Sequence, residues 1–221
     1  MVCATPAQPI VCQEDVRAVN EHTDRLQRLE QARQEQVHTW RLQPVVEALQ
    51  ALRGVPFTVA VTIVAELGDL TRVDNPRPLM SDVGLTPAAY SSGERRRQGS
   101  ITKTGNTQAR RALVEGAWAY RYPANVSRHR PLRLEKLPKA VQDISWKAQV
   151  RLCKRYRKLS ARGKHANQVV VAIARELIAF LWAIAKEVPV IPSNAQIVLE
   201  QRSRASHRKG RGPGMVSPAT A

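Results

Sequence analysis

A stretch of twenty residues near the C-terminus is apolar on almost every side, which limits how this chain can fold. Residues 167–186 contain no proline or glycine and only three charged side chains. A helix that is apolar all round lies inside a protein core or inside a membrane. Its longest uninterrupted apolar run, residues 177–185, is far shorter than the ~20 residues that span a bilayer. We therefore expect a buried helix, packed antiparallel on a helix predicted over residues 140–160, and no membrane partner.

The rest of the chain also predicts helices, so the expected fold class is all-α. Residues 13–43 lack proline and glycine, and their apolar residues recur at helical spacing in a narrow seam. This pattern predicts a long coiled-coil-like arm that pairs with another chain, and a helix packed on its own domain fits it about equally well. The seam consists of Val16, Val19, Leu26, Leu29, Val37 and Trp40, and is interrupted by His22, Thr23 and Arg33.

Residues 45–68 predict two short apolar helices joined by a turn at Gly54, the outline of a helix-hairpin-helix motif. In that motif the amides of the turn and the N-terminus of the second helix hold a nucleic-acid phosphate. Pro56 stands in the turn and has no amide hydrogen to donate. Phosphate binding and a purely structural role are therefore equally open for this segment.

The sequence predicts four parts along the chain. These are a disordered N-terminus at 1–12, a helical arm at 13–43, a folded domain at 44–188 and a disordered basic tail at 189–221. Pro6 and Pro9 indicate an irregular start, and the tail mixes basic residues with glycine, serine and proline.

Residues 90–111 combine two adjacent serines, three glycines and six basic side chains, with Glu94 as the single acid. Glycine lets a backbone pass close to a ligand, and arginine presents planar donors that suit phosphate oxygens. We expect an irregular loop that meets a phosphodiester backbone, followed by a helix over residues 107–122 capped by Asn106 or Thr107. The candidate nucleic-acid contacts in this loop are Arg95, Arg96, Arg97, Lys103, Asn106, Arg110 and Arg111.

The charge of the chain is concentrated in its second part. Residues 1–83 carry eight basic and eleven acidic residues, whereas residues 84–221 carry 27 basic and seven acidic ones. Such a gradient indicates a surface that binds a polyanion, most simply nucleic acid. The helix predicted over residues 140–160 has a cationic side that fits a phosphate-tracking face better than a merely solvated one. Its candidate contacts are Lys147, Arg151, Lys154 and Arg155.

Ser91 and Ser92 permit two interpretations. Each hydroxyl can donate a hydrogen bond to a phosphate or cap a turn, which is the commoner role of such serines. Alternatively, one of them is a nucleophile that attacks phosphorus while nearby arginines stabilise the developing charge. No histidine lies in the loop, so a Ser-His-Asp triad is weakly supported.

The acidic residues and cysteines predict no metal site. The seven acids of the basic part are scattered, whereas two-metal nuclease chemistry needs several convergent carboxylates. The three cysteines form no CxxC pair, which argues against zinc and disulfides and is typical of a reducing cytosol. We therefore expect a cytoplasmic protein without a cofactor of its own.

Several motifs from about residue 49 to residue 122 resemble a known family when taken together. They are LRGVPFTVAVTIVAELGDL, GLTP at residues 84–87, SSGERRRQGSITKTGN and ARRALVEGAWAY. In order and spacing they resemble the C-terminal domain of the DEDD insertion-sequence transposases, which are related to the Piv invertase and form insertion-sequence family one hundred and ten. The basic helix pair extends the resemblance to about residue 188.

This resemblance implies a recombinase mechanism and particular partners. Such transposases combine a RuvC-like domain, whose four acids bind Mg²⁺, with a coiled coil and a C-terminal domain whose serine attacks DNA. They act as oligomers with a structured guide RNA. By resemblance, Ser92 is the nucleophile and Ser91 the alternative, while residues 13–43 pair with a second copy or with an intact transposase.

The RuvC-like domain and its acids do not precede residues 13–43 in this sequence. The resemblance therefore implies a truncated or split transposase, associated with the nucleoid and inactive alone if its active site needs both domains. A non-catalytic nucleic-acid-binding protein is the alternative.

Overall fold

The computed structural model describes residues 7–92, 95–125 and 137–189, with side-chain detail outside residues 89–98. It is mostly helical in this part of the chain, so the expected all-α class is confirmed in its main feature. The helices are α1 (Ala7–His38), α2 (Gln43–Leu49), α3 (Phe57–Leu67), α4 (Arg77–Asp82), α5 (Thr107–Ala117), α6 (Lys139–Ala161) and α7 (Ala166–Glu187). Two 3-10 turns, Leu70–Arg72 and Trp118–Arg121, and one pair of strands complete these elements.

The apolar C-terminal helix lies at the centre of the fold, as its composition predicts. α7 packs along α6 and also contacts α2, α4 and α5. Its length and composition alone would let it cross a membrane, but half of its most apolar stretch is buried within the protein. These contacts assign α7 to the protein core. Its buried residues are Val169, Val170, Ile173, Ala174, Leu177, Ile178, Leu181, Ile184 and Ala185.

The N-terminal helix is longer than expected. The prediction that residues 1–12 are disordered is wrong for residues 7–12, which form the first turns of α1, while residues 1–6 lie outside the described part. Pro9 is tolerated because the first amides of a helix have no partner within it. The apolar residues of the outer part are more than half exposed; they are Ile10, Val11, Val16, Val19, Leu26 and Leu29.

The C-terminal end of α1 joins the rest of the fold. Val37 is buried, and the Arg33 guanidinium donates a hydrogen bond of 2.9 Å to the Thr58 hydroxyl. The same guanidinium lies 5.5 Å from the centre of the Phe57 ring. Arg33 therefore contacts α3 instead of interrupting an intermolecular seam.

The turn between α2 and α3 is packed against α5. Gly54 has a φ of 78°, and a Cβ added to it would lie 2.0 Å from the carbonyl oxygen of Gly116. A Cβ on Gly116 would in turn lie 2.4 Å from the carbonyl oxygen of Gly54. The two backbones touch because neither residue has a side chain. This contact supports a structural role for the predicted helix-hairpin-helix segment.

The segment expected to be an irregular loop forms a β-hairpin instead. β1 (Pro87–Ser92) pairs antiparallel with β2 (Arg95–Ile101), and α5 follows after a short turn. The loop prediction for residues 90–111 is therefore wrong for 90–92 and 95–101. Strand pairing satisfies the backbone groups of this glycine-containing segment in a way that local propensity does not reveal. The basic tail, except for Pro189, and residues 126–136 lie outside the described part.

Candidate nucleic-acid interface

The β-hairpin brings the two candidate serines opposite two of the candidate arginines. Ser92 pairs with Arg95, and Ser91 pairs with Arg96 in the antiparallel register. Directly opposite residues of such a ladder have Cα atoms about 4.5–5.5 Å apart. The register therefore brings the backbone positions of these two serines and two arginines together at the end of one hairpin.

The base of the hairpin is bound tightly to the chain that precedes it. The Thr102 amide donates to the Thr86 carbonyl at 2.9 Å, and the Lys103 amide donates to the Gly84 carbonyl at 3.1 Å. A Cβ on Gly84 would lie 2.1 Å from the Thr104 carbonyl oxygen, so only glycine fits this crossing. We refer to residues 82–86 and 102–106 together as the hairpin base.

Asn106 has a structural role in this base. Its side-chain oxygen accepts a hydrogen bond of 2.9 Å from the Ala109 amide, which caps α5 as predicted. Its side-chain nitrogen donates to the Glu66 carboxylate at 2.6 Å. Its backbone amide donates to the Asp82 carbonyl at 2.7 Å. Both polar atoms of the Asn106 side chain are therefore engaged within the protein.

Arg110 is also engaged within the fold. Its guanidinium donates to the carbonyl oxygens of Val83, at 2.9 Å, and Thr104, at 3.3 Å. It also donates to the Thr107 hydroxyl at 3.2 Å. The half-buried Arg110 thus joins α5 to the hairpin base.

Lys103 and Arg111 have exposed side chains near the same helix end. Lys103 has a φ of 57°, a left-handed conformation that costs a non-glycine residue roughly 1–2 kcal/mol. The hydrogen bond from its backbone amide to the Gly84 carbonyl helps to hold this conformation. Of the four predicted contacts between residues 103 and 111, these two present free surface to solvent.

A second cationic surface lies on α6. Lys147, Arg151, Lys154 and Arg155 are all exposed. Arg151 and Arg155 each approach the Oε1 atom of Glu176 on α7 at 3.4 Å. Glu176 is not among the residues predicted from the sequence, although it is the only acid between residues 144 and 186. Helical spacing within α6 does not reveal which residue of α7 faces it.

An open groove of about 850 Å³ runs between α6 and α7. Its floor is apolar, and the exposed residue Trp146 is 48% accessible. We call this the α6–α7 groove; it is lined by Trp146, Lys147, Val150, Arg151, Lys154, Arg155, Lys158, Glu176, Ala179 and Phe180. Trp146 is not among the residues predicted from the sequence, because a single aromatic residue on a cationic helix face has no distinctive spacing.

A second cavity, of about 640 Å³, connects this groove with the hairpin base. Arg155 and Glu176 line both cavities, while Pro87 and Ile101 of the hairpin line only the second. Arg175 adds another positive charge to its wall. Arg155 and Glu176 therefore lie where the α6–α7 groove meets a cavity that the hairpin also borders.

No metal cluster is found in the described ranges: no three side chains of histidine, cysteine, aspartate or glutamate there gather closely enough to hold an ion. The donor set of these described residues does not fit the Mg²⁺ of a nuclease. His165 is used as the N-cap of α7, where its ring nitrogen accepts from the Asn167 amide.

Comparison with known proteins identifies the family of this domain. Residues 46–131 match the family model described as "Transposase IS116/IS110/IS902 family". The matched segment runs from α2 through the β-hairpin and α5. The resemblance inferred from the sequence is thereby confirmed, and the chain carries a transposase domain of this family.

Individual relatives agree with this assignment. The chain is 51% identical over 148 residues to "Putative transposase y4qE" of Sinorhizobium fredii, a match that covers 67% of this chain and 38% of that protein. It is 30% identical over 161 residues to "Probable family 20 transposase" of Pseudomonas aeruginosa, covering 72% and 40%. It is 27% identical over 139 residues to "Transposase for insertion sequence element IS1111A" of Coxiella burnetii, covering 62% and 32%. The chain thus spans about two fifths or less of these relatives' lengths.

Proposed function

We propose that this chain is the DNA-joining part of an insertion-sequence transposase, in which a serine of the β-hairpin attacks the DNA backbone. The observation that carries this proposal is the register that sets Ser91 and Ser92 opposite Arg96 and Arg95 within a transposase domain. Ser92 is the proposed nucleophile and Ser91 the alternative, as the resemblance implies.

The proposed step exchanges one phosphodiester for another. The serine oxygen forms a bond to phosphorus, the bond from phosphorus to one DNA oxygen breaks, and the serine proton ends on the departing oxygen through solvent. Charge builds on the non-bridging oxygens, where arginine donors stabilise it most strongly. Arg95, Arg96 and Arg97 are assigned to this role.

Backbone binding completes the proposed interface. Lys103 and Arg111 flank the N-terminus of α5, and a helix N-terminus favours an anion. Arg155 of α6 lines the second cavity together with Pro87 and Ile101, so the cationic face of α6 approaches the hairpin there. We assign Asn106 and Arg110 a structural role in the hairpin base, because their hydrogen-bond donors already bind protein atoms. DNA is the proposed partner; a guide RNA and an oligomer formed through α1 follow from the family resemblance, as does a place at the nucleoid.

The experiment is a covalent-trapping assay with a substrate that needs no general acid. The full chain is mixed with duplexes from the DNA that flanks its own coding sequence, each with a sulfur in the bridging position to make departure easy. Both bridging positions are tested, with and without a full-length relative. The proposal expects a protein–DNA band on a denaturing gel that is lost in Ser92→Ala and kept in Ser100→Ala.

Two results would change the proposal. A band that survives Ser92→Ala and disappears in Ser91→Ala transfers the role to the neighbouring serine. The absence of any band, even with the full-length relative present, rejects serine attack by this chain. The alternative function, a non-catalytic nucleic-acid-binding protein, is then favoured by the cationic surface of α6 if DNA binding is retained.

A further inference from the structure

We infer that the α6–α7 groove is a binding site for single-stranded nucleic acid, in which a base stacks on Trp146 while flanking cations hold the phosphates. This inference rests on the proposed function only in taking a nucleic acid as the partner. It assigns a second site, on a different pair of helices from the serine hairpin.

The first observation is the exposure of large apolar side chains in the middle of a cationic face. Trp146 is 48% exposed and Val150, one helical turn later, is 42% exposed. Phe180 of α7 lines the groove beside them. An exposed apolar surface of this kind is typical of a site that a ligand covers. The indole offers a flat face on which a base can stack.

The second observation is the charge that borders this apolar floor. Lys147, Arg151, Lys154 and Lys158 line the groove along α6, at positions three or four residues apart. The first and the last of them are 11 positions apart, which corresponds to about 16 Å of helix. A row of cations this long can follow the backbone of a few nucleotides. Glu176, the one acid in the groove, has its Oε1 atom near both Arg151 and Arg155.

The combination of features favours unpaired over paired nucleic acid. In a duplex the faces of the bases are covered by their neighbours, and a protein gains mainly phosphate and groove-edge contacts. An aromatic platform set among cations is the arrangement of proteins that bind single strands without sequence preference. An acidic amphipathic helix is the competing occupant, and the experiment below distinguishes it.

The test measures the affinity of the full chain for three fluorescent probes by polarisation. The probes are a twelve-nucleotide deoxythymidine strand, the uridine equivalent and a twelve-base-pair duplex. Stacking on one aromatic residue contributes roughly 1–3 kcal/mol per base, so Trp146→Ala should weaken single-strand binding at least about fivefold. Trp146→Phe should retain most of the affinity, and duplex binding should change less than about twofold. Whether the DNA strand or the RNA strand binds more tightly identifies the source of the ligand.

The matched control is Tyr122→Ala, which removes an aromatic residue of similar exposure, 52%, that does not line the groove. It should leave all three affinities unchanged. The double variant Lys147→Ala, Lys154→Ala should lower the salt dependence of single-strand binding, whereas Trp146→Ala should leave that slope intact.

Three results would overturn the inference. They are equal losses of single-strand and duplex binding in Trp146→Ala, no loss in either, and competition by an acidic helical peptide but not by unlabelled single strands. The outcome is independent of covalent trapping. A chain without serine chemistry can still show the Trp146 effect, and one that traps DNA can lack it.

Discussion

Replacing Gly54 with alanine should destabilise this protein much more than the same change at Gly163. Both glycines have left-handed backbones, with φ values of 78° and 71°. Their surroundings differ completely. A Cβ at Gly54 would lie 2.0 Å from the Gly116 carbonyl oxygen, while a Cβ at Gly163 meets nothing within 4 Å. Comparing Gly54→Ala with Gly163→Ala therefore separates two costs to the free energy of unfolding: that of a left-handed alanine and that of forcing two backbones apart.

The expected magnitudes follow from these two costs. Gly163→Ala should lower the free energy of unfolding by roughly 1–2 kcal/mol, the penalty for a left-handed residue with a Cβ. Gly54→Ala carries the same penalty and also overpacks the contact with α5, which adds about 1–3 kcal/mol. Its total loss should therefore be about 2–5 kcal/mol. In a protein with a typical stability of about 5–15 kcal/mol, that loss is easily measured.

Gly116→Ala provides a second check through the sign of its effect. Alanine within a helix is normally favoured over glycine by about 0.5–1 kcal/mol. Here the added Cβ would lie 2.4 Å from the Gly54 carbonyl oxygen, so we expect a loss of stability instead. The assay is urea unfolding followed by circular dichroism. Equal losses for Gly54→Ala and Gly163→Ala, or a stabilising Gly116→Ala, would refute the close backbone contact.

Three further predictions concern other parts of the structure. Asn106→Ala should lower the free energy of unfolding in urea by about 1–2 kcal/mol, because it removes the cap of α5 and the hydrogen bond to Glu66. Asn106→Ser should retain the cap and lose less stability. Equal losses for the two variants would contradict the capping role. Glu176→Gln should tighten nonspecific duplex binding, because Arg151 and Arg155 lose their anionic partner, and should steepen the log–log salt dependence of binding by up to about one unit. The control is Glu187→Gln, which removes an exposed acid at the end of α7. Identical salt slopes for the two variants would argue against the pairing of Glu176 with these arginines. The double variant Leu26→Glu, Leu29→Glu should keep the free energy of unfolding within about 0.5 kcal/mol of the unchanged protein, since both side chains are exposed. If α1 pairs with another chain, sedimentation of this variant should show a smaller assembly. An unchanged assembly would reject pairing through these residues.

The parts of the fold that the sequence predicts well are those with a local signal. The stop of α3 at Gly68 and the cap of α5 at Asn106 are encoded within one helical turn. The buried α7 is evident from its composition because an all-round apolar helix has few other places to lie. These elements can be predicted without knowing which residues pack against them.

The features that sequence reasoning missed depend on contacts between distant residues. Gly54 meets Gly116 across 62 positions of the chain, and Glu176 meets Arg151 across two helices. The β-hairpin was missed for a related reason. A segment of serine, glycine and arginine has weak strand propensity, so only the partner strand makes it regular. Lys103 was recognised from its charge, but its left-handed backbone was not.

The hairpin base has a consequence for how this domain can change during evolution. Its hydrogen bonds join backbone amides to backbone carbonyls, and its two segments pass close together at Gly84 and Gly105 because glycine has no side chain. Among the strand residues whose side chains the structure describes, Ile101 packs against the hydrophobic core. We expect substitutions of Ser91, Ser92 and Arg95–Arg97 to leave these contacts intact, because none of the contacts is made by those side chains. Selection can revise the chemistry of the hairpin without having to repair the helices that carry it.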